Sequence, residues 1–200
     1  MAGWPVPLRG VTESVVTTEG PNGRWNVAAL GLCLSGDGNP ESDSDGATPR
    51  VRARTWGRTR TWRNFRERGG GYVQFTRDPV DFVEAALAVR EENDPLLDGV
   101  DAWTRVDVTR TDAGEAGGTH WVDWRLEPRE SAVERRAVPT TNRGHAAVVE
   151  ATVAASRLNV ESYDTERLRE RLDYFEDVAA RCGGPREREA IERLRDLVDP

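Results

Sequence analysis

The hydrophobic pattern of this chain changes its period once, near Pro139. Before that point, short runs rich in Val, Thr and aromatic residues are separated by turn signals. After it, apolar residues recur at helical spacing. A strand repeats every two residues and a helix every 3.6, so the two stretches cannot share one kind of element. The chain therefore divides into a β-rich domain, residues 1–135, and a helical one, residues 139–200.

Within the first part, Val11–Thr18 and Asn26–Leu34 read as strands joined through the turn residues Pro21-Asn22-Gly23. Ser35–Pro49 holds no hydrophobic residue beyond one alanine and reads as a solvated connection. Val51–Trp56 resumes as a strand. Thr61 is a candidate N-cap for a short helix, Trp62–Arg68, which the glycines at 69–71 end. Tyr72–Thr76 is a further strand. Asp78 and Pro79 open a helix running to about Arg90, with Phe82, Val83, Ala86 and Leu87 on its apolar face. Ala102–Thr109 and Thr119–Leu126 form a strand pair, the latter alternating Val122, Trp124 and Leu126 with Trp121, Asp123 and Arg125. In the second part, helices are expected over Asn142–Leu158, from the cap Asp164 to Gly183-Gly184, and from Pro185 onward. The sum is an α+β chain, a small β-barrel with a helical appendage.

Composition bounds the setting. The net charge is -7, and every cationic side chain is arginine, with no lysine. Acidic, arginine-only compositions fit a high-salt cytoplasm, where an acidic shell keeps a protein hydrated and dispersed. No apolar run reaches membrane-spanning length, and Met1–Gly10 lacks the apolar core of a signal peptide, so a cytoplasmic location is expected. Cys33 and Cys182 are expected to be free buried thiols, and neither they nor His120 and His145 have metal-ligand spacing, so no metal is expected.

Arg50–Arg68 concentrates eight arginines against one acidic residue, Glu67, within this acidic protein. Thr55, Thr59, Thr61 and Asn64 add uncharged donors, and a helix start among them offers free backbone N–H groups. Such a set is complementary to a dianionic phosphate monoester. Two other readings of the same residues stay open: arginines paired with surface carboxylates, and a nucleic-acid groove with Trp56, Trp62 and Phe65 as stacking platforms. The overall negative charge opposes the groove.

Four pieces carry a family resemblance: ESVVTTEGPNGRWNVAALGL (Glu13–Leu32), WGRTRTWRNF (Trp56–Phe65), GGYVQFTRDPVDFVEAAL (Gly70–Leu87) and NRGHAAVVEATVAASRL (Asn142–Leu158). In this order they resemble the archaeal DUF447 family of FMN-binding split-barrel proteins, distantly similar to flavin reductases and pyridoxamine-phosphate oxidases. The resemblance implies a split β-barrel with a C-terminal helical subdomain, and a homodimer with FMN at the subunit interface. It places Asn26, Val27 and Ala28 beside the isoalloxazine ring, and Thr59, Thr61 and Asn64 around the phosphate with Arg58 alongside. Leu30 stands where the related pattern often has proline. Three functions follow as expectations: an FMN-dependent oxidoreductase of the flavin reductase kind, a flavin carrier or store without turnover, or an arginine-rich nucleic-acid module. His120 is the one candidate general acid, with a surface-strand role as its plain alternative. Arg143 and His145 fit a helix start or a domain contact, and the tryptophans fit core or interface positions.

Overall fold

A computed structural model of the chain describes residues 3–34, 50–138 and 140–198, so the expected connection Ser35–Pro49 lies outside the described residues. Two compact units emerge, Met1–Phe75 with Glu91–Arg136 and Thr76–Arg90 with Ala137–Pro200.

The first unit is built from β1 (Val11–Glu19), β2 (Trp25–Leu34), β3 (Val51–Trp56), α1 (Arg60–Arg68), β4 (Gly70–Phe75), β6 (Ala102–Ala116) and β7 (Thr119–Val133), with β5 (Arg90–Glu92) at its border. The sheet runs β1-β4-β6-β7-β3-β2-β5, and β1 also pairs with β2. That extra pairing closes six antiparallel strands into a barrel, which removes the open edges on which sheets aggregate. Alternation decides what fills it. Val51, Ala53 and Thr55 of β3 are buried while Arg52, Arg54 and Trp56 are exposed, and the core gathers Val16, Leu30, Leu32, Phe65, Val73, Val106 and Trp124. Gly71 is required by a close approach, since a Cβ there would sit 2.6 Å from the Thr17 carbonyl oxygen.

Two expectations need correcting here. The cap of α1 is Thr59, not Thr61: the helix begins two residues earlier than read, and the Thr59 hydroxyl accepts the Trp62 N–H. Starting there puts Thr61, Asn64 and Phe65 on one buried face at helical spacing, the arrangement that packs α1 on the barrel. The β6–β7 hairpin is also far longer than the expected pair: β6 continues through Arg110–Ala116, exposed at Arg110–Asp112, and β7 continues through Glu127–Val133.

The second unit contains α2 (Pro79–Leu87), α3 (Arg143–Ala155), α4 (Thr165–Cys182) and α5 (Pro185–Val198). Asp78, Asn142 and Asp164 cap α2, α3 and α4. The small residues Ala147, Ala151 and Ala154 of α3 let its neighbours approach, and Val83, Leu168, Leu172, Ile191 and Leu194 complete the core. An added Cβ on Gly144 would lie 2.3 Å from the Gly183 Cα, so the start of α3 meets the end of α4 backbone to backbone. Both cysteines are free, but neither is buried as expected: Cys33 is half-buried, and Cys182 ends α4 exposed. No described helix is long and apolar enough to cross a membrane.

Candidate functional site

The eight arginines of 50–68 do not converge, because strand and helix periods scatter them. On β3, Arg54 points outward and binds Asp123 with both nitrogens, Nε to Oδ1 at 2.6 Å and Nη2 to Oδ2 at 2.8 Å. On α1, Arg60 pairs with Glu91 at 2.7 Å. Arg66 pairs with Glu67 at 3.2 Å and lies over the Trp62 ring. These contacts break up any continuous cationic groove. Arg58, exposed in the turn between β3 and α1, has no carboxylate partner among the described residues.

That turn is the candidate site. Gly57 takes φ 68°, open to glycine at little cost, and donates its N–H to the His120 carbonyl at 2.7 Å. This bond ties the turn to the β6–β7 hairpin. Thr59 then caps α1, its Oγ1 accepting from Trp62 N at 3.2 Å, while the Arg63 N–H reaches the Thr59 carbonyl. The N–H groups of Arg60 and Thr61 are left without an acceptor among the described residues, as the first turn of a helix dictates. No acidic residue stands in that turn, so nothing in it competes for them.

Behind the turn, a buried polar cluster fastens α1 to the barrel. Asn64 is 1% exposed and donates Nδ2 to both the carbonyl and Oγ1 of Thr18, at 3.3 and 3.0 Å. Thr18 stands opposite Asn26 across β1 and β2. Asn26 donates to Thr61 Oγ1 at 3.4 Å. The Thr61 oxygen therefore accepts, and its proton finds no acceptor among the described residues although the side chain is 5% exposed. The structure thus joins Asn26, Thr61 and Asn64, and leaves Arg58 and Thr59 on the open side of the same helix start. Val27 is buried, and Ala28 is half-buried against the barrel core.

A cleft of about 180 Å³ opens between this turn and the hairpin, lined by Gly57, Arg58, Trp62, Arg110, His120 and Val122. His120 Nδ1 lies 3.5 Å from Glu115 Oε2. Arg110 escaped the sequence reading, having no motif around it; like Arg58 it has no carboxylate partner among the described residues. His145 sits half-buried in the second unit, its N–H one of two accepted by Asn142 Oδ1. No cluster of His, Cys, Asp or Glu suited to a metal occurs among the described residues. The turn offers two backbone N–H groups, one hydroxyl proton and a guanidinium. That donor set, free of carboxylates, fits a phosphate monoester.

Comparison with known proteins gives two family matches. Residues 12–135 match the N-terminal domain of the protein of unknown function DUF447, and residues 142–196 match the DUF447 model for the remainder. An FMN-bound DUF447 protein from Methanosarcina mazei has a similar structure, with a TM-score of 0.76 and 21% identity, covering 95% of this chain and 96% of that one. The flavin reductase of the styrene monooxygenase from Pseudomonas putida S12 shares 11% identity at a TM-score of 0.44, over 65% of this chain and 93% of that one. Flavoredoxin from Methanosarcina acetivorans shares 12% at 0.44, over 68% and 79%.

Proposed function

Because this chain belongs to the DUF447 family, we propose that it is a flavoprotein that binds FMN by its phosphate at the start of α1. The observation that carries the reading is the unspent donor set of that turn: the N–H groups of Arg60 and Thr61, the Thr61 hydroxyl and the Arg58 guanidinium, with no carboxylate in the first turn. The FMN held by the similar Methanosarcina mazei protein supports it.

In this reading Arg58 supplies the charge, and the N–H groups and Thr61 Oγ1 fix the orientation of the phosphate oxygens. Thr59 holds the N–H groups in place by capping the helix. Asn64 anchors the helix through Thr18, so the donors are pre-positioned. Asn26, Val27 and Ala28 belong to the strand assigned to the ring. Bound FMN would supply hydride- and electron-transfer chemistry, to which the protein adds position and electrostatics. We assign the chain to the oxidoreductases of flavin reductase type, acting as a homodimer with FMN at the subunit interface.

The test is spectroscopic. Protein purified without denaturant should carry oxidised-flavin absorbance, and the apoprotein should quench added FMN fluorescence. Arg58→Ala with Thr61→Ala should raise the FMN Kd about tenfold or more; an unchanged Kd would place the phosphate elsewhere. Anaerobic NADH or NADPH should bleach the bound flavin; a flavin inert to both would make the protein a carrier or store. Sedimentation should give twice the chain mass, and a monomer that still binds FMN would remove the interface.

A further inference from the structure

Arg110 reaches the cleft through an irregularity in the β6–β7 ladder. Arg110 stands opposite Trp124, and Ala113 opposite Val122. Trp124 and Val122 are two residues apart on β7 and share the buried face, so Arg110 and Ala113, three apart on β6, share that face too. Strand geometry forbids this without an extra residue. The register shift between Arg110 and Asp112 provides it, with Thr111 as the inserted residue, its hydroxyl donating to the Asp123 carbonyl at 3.2 Å. Bulges re-aim side chains in this manner, often beside binding sites. The bulge brings Arg110, with Ala113 beside it, to the cleft that Arg58 lines. The bond from Gly57 N–H to the His120 carbonyl fixes hairpin and turn together.

Arg58 and Arg110 both line this cleft, and neither has a carboxylate partner among the described residues. Arg54, Arg60, Arg66, Arg125 and Arg129 in the same unit have carboxylates within 4 Å; Arg52, Arg63 and Arg68 have none among the described residues, and what sets Arg58 and Arg110 apart is that they line one cleft. An anion bound in the cleft would pair with both. Resting on the reading of a phosphate at the start of α1, we infer that Arg110 is a second phosphate-binding residue, delivered by the β6 bulge. Arg58 and Arg110 together select a dianionic phosphate ester over the neutral alcohol, and so FMN over riboflavin.

The test titrates the full-length apoprotein with FMN and with riboflavin, by quenching of flavin fluorescence, in wild type, Arg110→Ala, Arg110→Lys and, as a distant control, Arg181→Ala. Arg110→Ala should raise the FMN Kd about tenfold and leave the riboflavin Kd within twofold, Arg110→Lys should recover part of the loss, and Arg181→Ala should do nothing. Among the described residues the Arg110 side chain makes no hydrogen bond or ion pair and is exposed, so the variants should unfold at the wild-type midpoint. An unchanged FMN Kd in Arg110→Ala, or an equal loss for FMN and riboflavin, overturns the inference while the flavin reading stands. If wild type binds neither flavin, the flavin reading falls, and inorganic phosphate as the probe decides about Arg110. A rise in melting temperature with phosphate in wild type that Arg110→Ala abolishes keeps Arg110 as an anion-binding residue; no such difference removes it.

Discussion

Arg54 and Asp123 face each other across β3 and β7 as a two-pronged ion pair, and the Arg54 guanidinium lies 3.9 Å above the Trp121 ring. Asp123 is 8% exposed, yet its carboxyl is held below the ordinary range, because the hydrogen bonds from Arg54 outweigh the cost of burial. Arg54 is locked on the outer barrel wall by this pair, which is why it takes no part in the cleft at the β3–α1 turn.

The pair makes part of the stability of the first unit dependent on pH. A carboxyl whose folded pKa is depressed contributes above its unfolded value, and the contribution fades as pH falls through the folded one, here below about pH 4. Arg54→Met removes the partner and strands the carboxylate. Because the Arg54 side chain is 39% exposed, solvent screening limits the loss to about 1–2 kcal/mol near neutrality. Urea unfolding at pH 7 and at pH 3 should show the gap between wild type and variant closing in acid. A gap of the same size at both values would show that the loss came from packing on Trp121.

Gly114 stands opposite Trp121, and a Cβ there would lie 2.6 Å from Trp121 Cζ2. The indole is therefore laid across a bare backbone, where it supports Arg54. Gly114→Val should push the ring away, cost about 1–3 kcal/mol and shift tryptophan emission toward that of an exposed indole. An unmoved melting midpoint would mean that the hairpin arm simply bends aside. Because this arm lies beside the cleft, FMN affinity in the same variant shows whether the hairpin must be held still for binding.

How much of this could be read in advance depended on whether one period governed a segment. The closed barrel and the C-terminal helices were legible because Val51–Trp56 alternates cleanly, and because Asp78 and Asp164 mark helix starts by their own chemistry. The start of α1 was misplaced because Thr59 and Thr61 are equally good caps; burial of Thr61 with Asn64 and Phe65 decides between them, and burial is tertiary. Arg110 was invisible because a bulge reverses strand parity without changing composition. The apparent concentration of arginines was a property of the linear segment, and folding distributes it over a strand face, a turn and a helix.

Thr59 allows helix stability and anion binding to be separated. Its hydroxyl caps α1, so Thr59→Ala should cost about 1 kcal/mol in urea unfolding. Aspartate is at least as good a cap as threonine and favours the positive end of the helix, so Thr59→Asp should unfold within about 0.5 kcal/mol of wild type. Yet that aspartate places a carboxylate beside the N–H groups of Arg60 and Thr61, where the phosphate is proposed to lie. FMN affinity, followed by fluorescence quenching, should therefore fall more than tenfold in Thr59→Asp and less in Thr59→Ala, the reverse of their order in stability. If Thr59→Asp binds FMN as wild type does, the start of α1 is not where the phosphate sits.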